Sequence, residues 1–120
     1  MTAMPALFIQ HRAPFDGVGA VETLDALLVQ AAFGLDPAVL FLDDGVWQLV
    51  GPQAPAGIGA KSVAAQQEAL PMYDVTAIHV ERESLETRGL DPEDLVLPVQ
   101  LVSRSELADL FSRHAPILRL

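Results

Sequence analysis

The chain has 120 residues and a mass of 12.9 kDa, a length that calls for one domain over residues 1–120 burying roughly two-thirds of the unfolded chain's surface. Hydrophobic residues make up 51% and charged residues 19% of it, which excludes intrinsic disorder. Seven basic against sixteen acidic residues give a formal charge of −9. That balance repels phosphate backbones and anionic lipid, so direct nucleic-acid binding and membrane docking are excluded as primary roles. There is no cysteine, which removes disulfides, thiolate nucleophiles, zinc ribbons and iron–sulfur ligation by this chain. No apolar run is long enough to span a bilayer. Met1-Thr2-Ala3-Met4-Pro5 lacks the basic start of a secretory signal. The expected location is the cytoplasm.

In chain order, Ala6-Leu7-Phe8-Ile9 is a continuous apolar run, the pattern of a strand covered on both faces. Val21, Leu24, Leu27, Leu28, Ala31 and Ala32 then recur at helical spacing, with Gly34 placed to end the helix. Ala38 to Leu42 reads as a second strand, stopped by Asp43-Asp44-Gly45. Val46 to Val50 reads as a turn of helix and Gly51 to Gly57 as a loop. A helix is expected from Gly59 to Leu70, with Pro71 ending it. Val75 to Val80 has strand propensity. Ser84 is placed to cap a short helix closing at Gly89, and Leu97 to Val102 gives a fourth strand. Ser103 and Glu106 make a capping box ahead of a helix that buries Leu107, Leu110 and Phe111. Ile117 to Leu120 is the last strand. This alternation predicts an α/β fold with a mostly parallel sheet of about five strands and helices on both faces.

Ligands of such sheets sit beyond the carboxyl ends of the strands. His11, Asp43, Asp44, His79 and Glu81 fall there, a set able to ligate a divalent metal or run acid–base chemistry if it converges. The plainer reading makes Asp43-Asp44-Gly45 a turn and His79 a satisfied, partly buried histidine. Recognised nucleotide and nucleophile motifs are missing. Lys61 has no P-loop context, Gly17 and Gly19 do not complete Gly-x-Gly-x-x-Gly, and no serine sits in a Gly-x-Ser-x-Gly elbow. A phospho-receiver would need an aspartate after the third strand and a lysine after the fifth. Trp47 suits an interface anchor and intramolecular packing equally. An apolar content of 51% in so small a chain favours an oligomer.

Three stretches then stand out together: Leu24-Asp25-Ala26-Leu27-Leu28, Asp44-Gly45-Val46-Trp47-Gln48-Leu49, and Ser84 through Asp91-Pro92. With the ending Pro116-Ile117-Leu118-Arg119-Leu120, they resemble the TusC/DsrF branch of the DsrE-like sulfur-relay family over essentially the whole chain. The resemblance implies a flavodoxin-like three-layer sandwich in one subunit of a heterohexamer, with TusB/DsrH-like and TusD/DsrE-like sister subunits and a downstream sulfur carrier as an indirect partner. It implies no cofactor. In the family the TusD/DsrE-type subunit carries sulfur as a cysteine persulfide just past the third strand. Counting back from the Leu90 that follows Arg88-Gly89, the matching position here is Glu81, which cannot form a persulfide. No catalytic or metal-binding residue is therefore carried over. The expected function is a non-catalytic structural subunit, not itself an enzyme, supporting 2-thiolation of the tRNA wobble uridine. The sulfur-oxidation branch is the neighbouring possibility. The alternative is a small homo-oligomeric ligand- or metal-binding domain. On either reading His11, Asp43, Asp44, Trp47 and His79 are the candidates for a partner surface or a strand-end cluster.

Overall fold

Three strands are buried at every residue: β1 (Leu7–Gln10), β2 (Ala38–Phe41) and β3 (Ile78–Glu81). A strand covered on both faces has no solvent side to populate with polar residues, which is why β1 and β2 read as unbroken apolar runs. In the computed structural model, which describes residues 4–14, 18–51 and 63–119, these strands form the centre of a five-stranded sheet. Its edges are β4 (Gln100–Val102) and β5 (Ile117–Arg119), in the order β4-β3-β2-β1-β5, with every neighbouring pair parallel. The register sets Phe8 beside Val39 and Leu118, and Val39 beside Ile78.

The chain steps from β1 to β4 in one direction across the sheet. Right-handed crossovers place all three of those connections on one face. There α1 (Gly19–Ala32), a 3-10 helix (Asp43–Leu49), α2 (Val63–Glu68) and α3 (Arg82–Thr87) gather. Leu24, Leu27, Val46, Leu49, Leu70 and Leu85 pack on Phe8, Val39, Phe41 and Val80 in the larger core. The step from β4 back to β5 runs the other way, so its helix α4 (Leu107–Ser112) covers the opposite face. Leu110 closes the smaller core there with Leu7, Ala38 and Leu40, flanked by the partly buried Leu107 and Phe111. The result is the three-layer α/β sandwich.

Several boundaries differ from the sequence reading. The buried stripe of α1 takes in Ala20 and Thr23 and leaves Val21 and Ala32 exposed, because the helix packs along its 20–24–27 line. Gly34 follows α1 with φ 73°, a conformation glycine adopts without strain. Of the helix expected from Gly59, residues 59–62 lie outside the described residues, as does most of the Gly51–Gly57 loop. The helix stops at Glu68, and Pro71 sits inside a 3-10 turn, Leu70–Tyr73. β3 begins at Ile78 and not Val75, since the Ile78 amide turns back onto the Thr76 carbonyl. β4 begins at Gln100 and not Leu97. The residues before it are held instead by Val96 N–H donating to Leu49 O at 2.8 Å and by an antiparallel bridge from Leu95 to Val50. The capping box at Ser103 and Glu106 forms as expected, opening a 3-10 turn ahead of α4.

Gly45 ties the 3-10 helix to the sheet. A Cβ there would lie 1.8 Å from the Gln10 carbonyl oxygen, a backbone atom that has no side-chain freedom to move aside. Gly45→Ala is expected to cost about 1–3 kcal/mol by overpacking, read as a lower midpoint in urea unfolding. Gly34→Ala, whose Cβ meets nothing within 4 Å, bears only the strain of its positive φ.

Candidate functional site

The carboxyl ends of β2, β3 and β4 meet at one corner, and a single carboxylate organises it. Glu81 is the last residue of β3 and is 4% exposed. Its Oε1 accepts hydrogen bonds from Ser84 Oγ and, at 3.3 Å, from Arg104 Nη2; its Oε2 accepts from Arg104 Nε at 3.3 Å. Arg104 comes from the 3-10 turn after β4, and its own amide donates to Glu83 Oε1 at 2.9 Å. Burial pushes the Glu81 carboxyl upward. The hydrogen bonds from Arg104 and Ser84, with the charges of Arg104 and Arg88, outweigh that and hold it below the usual carboxylate range. The group is thus ionised at neutral pH, with both oxygens engaged. It has no proton to donate.

Ser84 lies inside α3 and is buried; it is not the helix cap its position suggested, since α3 already starts at Arg82. Its hydroxyl donates to Glu81 and accepts from the Asp43 amide at 2.8 Å, bridging β3 to the segment after β2. Asp43 and Asp44 open the 3-10 helix, Asp43 with φ 50°. Asp44 receives both Nε and Nη2 of Arg88 at 3.2 and 3.0 Å, while Arg88 Nη1 donates to the Ser84 carbonyl. The acidic pair is therefore a clamp onto α3. Ser84→Ala leaves the part-buried Asp43 amide and one lone pair of the buried Glu81 without their partner, and is expected to cost about 1–3 kcal/mol, measured by thermal unfolding at neutral pH.

The remaining candidates are scattered. His11 is half-buried just past β1, and Trp47 is half-buried in the 3-10 helix, where its carbonyl accepts the Val50 amide. His79 is buried on the face covered by α4, its ring 6.5 Å from that of His114 in a T-shaped arrangement. The expectation that His79 is satisfied fails, because its Nδ1 has no hydrogen-bond partner. Among the described residues no three His, Asp or Glu side chains lie close enough to hold a metal ion, so the shared cation site of the alternative reading is not assembled. His79 sits below the ordinary histidine range because burial and the nearby His114 and Arg113 charges oppose its protonation. The unfolded chain consequently takes up this proton first as pH falls below about 6.5. The contribution of neutral His79 is complete above that value and is lost as pH falls toward the lower folded value. Melting temperature is expected to fall more for the wild type than for His79→Gln between neutral pH and about pH 5.

Sequence reasoning passed over a second polar assembly at the same edge. Gln10 Nε2 donates to Ala20 O, Gln48 Nε2 donates to Gln10 Oε1 and Arg12 O, and Gln67 Nε2 donates to Gln48 Oε1. The backbone acceptors fix the direction of this ladder, and all three amides are buried. Its signal was present in the sequence: each glutamine interrupts an apolar run or the apolar side of a helix.

The DsrE/DsrF-like family model matches residues 4–119, and the chain belongs to that family. It is 40% identical over 114 residues to the "Protein TusC homolog" of Pseudomonas aeruginosa, covering 95% of this chain and 96% of that protein. It is 44% identical over 90 residues to the "Intracellular sulfur oxidation protein DsrF" of Allochromatium vinosum, covering 75% of this chain and 66% of that one. Among solved structures, the ychN protein from E. coli superposes with a TM-score of 0.81 over 98% of this chain and 99% of its own, at 18% identity. That likeness bears on the fold alone.

Proposed function

We propose that this chain is a non-catalytic subunit of a sulfur-relay assembly, built with TusB/DsrH-like and TusD/DsrE-like sister subunits and supporting 2-thiolation of the tRNA wobble uridine in the cytoplasm. The observation that carries the reading is Glu81. At the position matched to the carrier cysteine of the family stands a carboxylate that is buried, ionised and held by Ser84 and Arg104. Sulfane sulfur is transferred by attack of a thiolate on a persulfide, and a carboxylate already engaged by an arginine and a serine supplies no such nucleophile. The chain has no cysteine elsewhere to take the role. The TusC and DsrF names of its relatives support the relay. The Leu24-Asp25-Ala26-Leu27-Leu28 stretch and the Ser84–Pro92 stretch support the tRNA branch over sulfur oxidation.

A charge of −9 fits a subunit that acts through protein partners while other members of the relay approach RNA. In this reading the corner around Glu81 stands where a carrier subunit would hold its cysteine, and offers no thiol there. It gives the sister subunit that bears the thiol a rigid neighbour.

Deleting the gene in its own organism is expected to remove 2-thiouridine from the wobble position, measured on mercury-retention gels. A plasmid copy carrying Glu81→Gln is expected to restore it to the wild-type level. Loss of thiolation with Glu81→Gln, in an assembly that still forms, would show that the carboxylate takes part in transfer. Loss of sulfur oxidation with thiolation intact in the deletion strain would move the protein to the other branch.

A further inference from the structure

The strands begin at the opposite edge of the sheet, and most of the exposed large apolar side chains gather there. Val29 and Phe33 lie one turn apart at the end of α1, 56% and 77% exposed, and Leu35 follows at 56%. Met72 and Tyr73, 84% and 55% exposed, project from the 3-10 turn before β3, which packs against α1. Met4, just before β1, shares with Leu35 an open groove of about 660 Å³ lined also by Pro5, Ala115 and Pro116. So many large apolar side chains exposed at one end of the sheet are costly to leave in water and mark an interaction site.

The charges around it select the occupant. Asp36 borders both this groove and a smaller one that reaches Asp74, and both carboxylates are exposed. The carbonyl end of α1 adds negative potential there, with no basic residue in its last turn. Among the described residues no lysine or arginine lines either groove. A second copy of this chain would bring the same carboxylates and another −9 to the contact. A chain carrying an apolar anchor flanked by lysine or arginine would match both the apolar floor and the acidic border.

From this we infer that the edge formed by the α1 C-terminus, the Leu70–Tyr73 turn and the residues before β1 is where a sister subunit docks through a basic-flanked apolar segment. The inference rests on the relay-subunit reading above and adds the surface and the partner's chemistry. Docking at this end leaves the Glu81 corner, at the other end of the strands, free to face the sulfur-carrying side of the assembly.

The test is co-expression of the full chain with the two homologous subunits of its own organism, followed by mass measurement of the purified assembly and titration of its affinity. Phe33→Glu and Met72→Glu alter exposed side chains, so their thermal unfolding should match the wild type, and each is expected to weaken assembly by at least about tenfold. The double change Asp36→Asn, Asp74→Asn, which removes both charges and keeps a residue type that tolerates the positive φ at these positions, is expected to weaken it as well, and added salt to reduce the wild-type affinity. Val18→Glu, at the other end of α1 and 65% exposed, is expected to assemble normally. If both patch variants assemble like the wild type, the surface is wrong while the relay reading stands. If the wild type joins neither sister subunit, the relay reading falls and the inference with it. If the wild type alone forms a dimer that Phe33→Glu separates, the patch binds a second copy and the assignment of a basic partner is overturned.

Discussion

The carboxyl-terminal corner of this sheet depends on a buried negative charge that must be neutralised where it stands. Glu81 ends the fully buried β3, and an unpaired carboxylate there would cost several kilocalories per mole. Arg104, reaching in from the turn after β4, supplies the charge, and Ser84 supplies a further hydrogen bond. Through Ser84 the same carboxylate fixes the Asp43 amide, and through Arg88 the neighbouring Asp44 is held to α3. One residue thus joins the ends of three strands. The energy invested in placing it is structural, since every oxygen it offers is already used within the chain.

That arrangement separates this chain from a sulfur carrier of the same family in chemical terms. A carrier cysteine needs a thiolate that is partly exposed and free to attack. Here the corner at the end of β3 holds an ionised carboxylate whose two oxygens already accept from Ser84 and Arg104. The other half of the carboxyl edge is closed in a different way, by the directional ladder from Ala20 through Gln10 and Gln48 to Gln67. Gln67 Oε1 at the end of the ladder has no hydrogen-bond partner, while the paired amides before it fix how β1, the 3-10 helix and α2 sit together. Apolar exposure is concentrated at the other end of the molecule, so rigidity and adhesion occupy opposite edges of one sheet.

Much of this was legible in the residues. The runs at Leu7 and Ala38 announced buried parallel strands, and the capping box at Ser103 announced the turn before α4. The ordered similarity around Leu24, Asp44 and Ser84 pointed to the family that the comparisons establish. Local pattern failed where tertiary contacts decide. Ser84 has the residue type of a helix cap, yet its hydroxyl is drawn to partners on two other elements. Leu97 has strand propensity, yet its neighbourhood pairs with Leu49 and Val50. His79 gave no sign in the sequence of being buried with an unpaired nitrogen, because burial on that face depends on α4, which begins only at Leu107. For the glutamine ladder the sequence marked each amide, set against apolar neighbours, but not their pairing, which exists only once the fold brings the three together.

The most direct measurement follows sulfur through the purified assembly. A persulfide-loaded donor is added to the complex, and the intact mass of each subunit is recorded as transfer proceeds. The account predicts that the added sulfur atom resides on the sister subunit bearing the reactive thiol, with this chain at its unmodified mass throughout. A covalent sulfur adduct on this chain during turnover would contradict it.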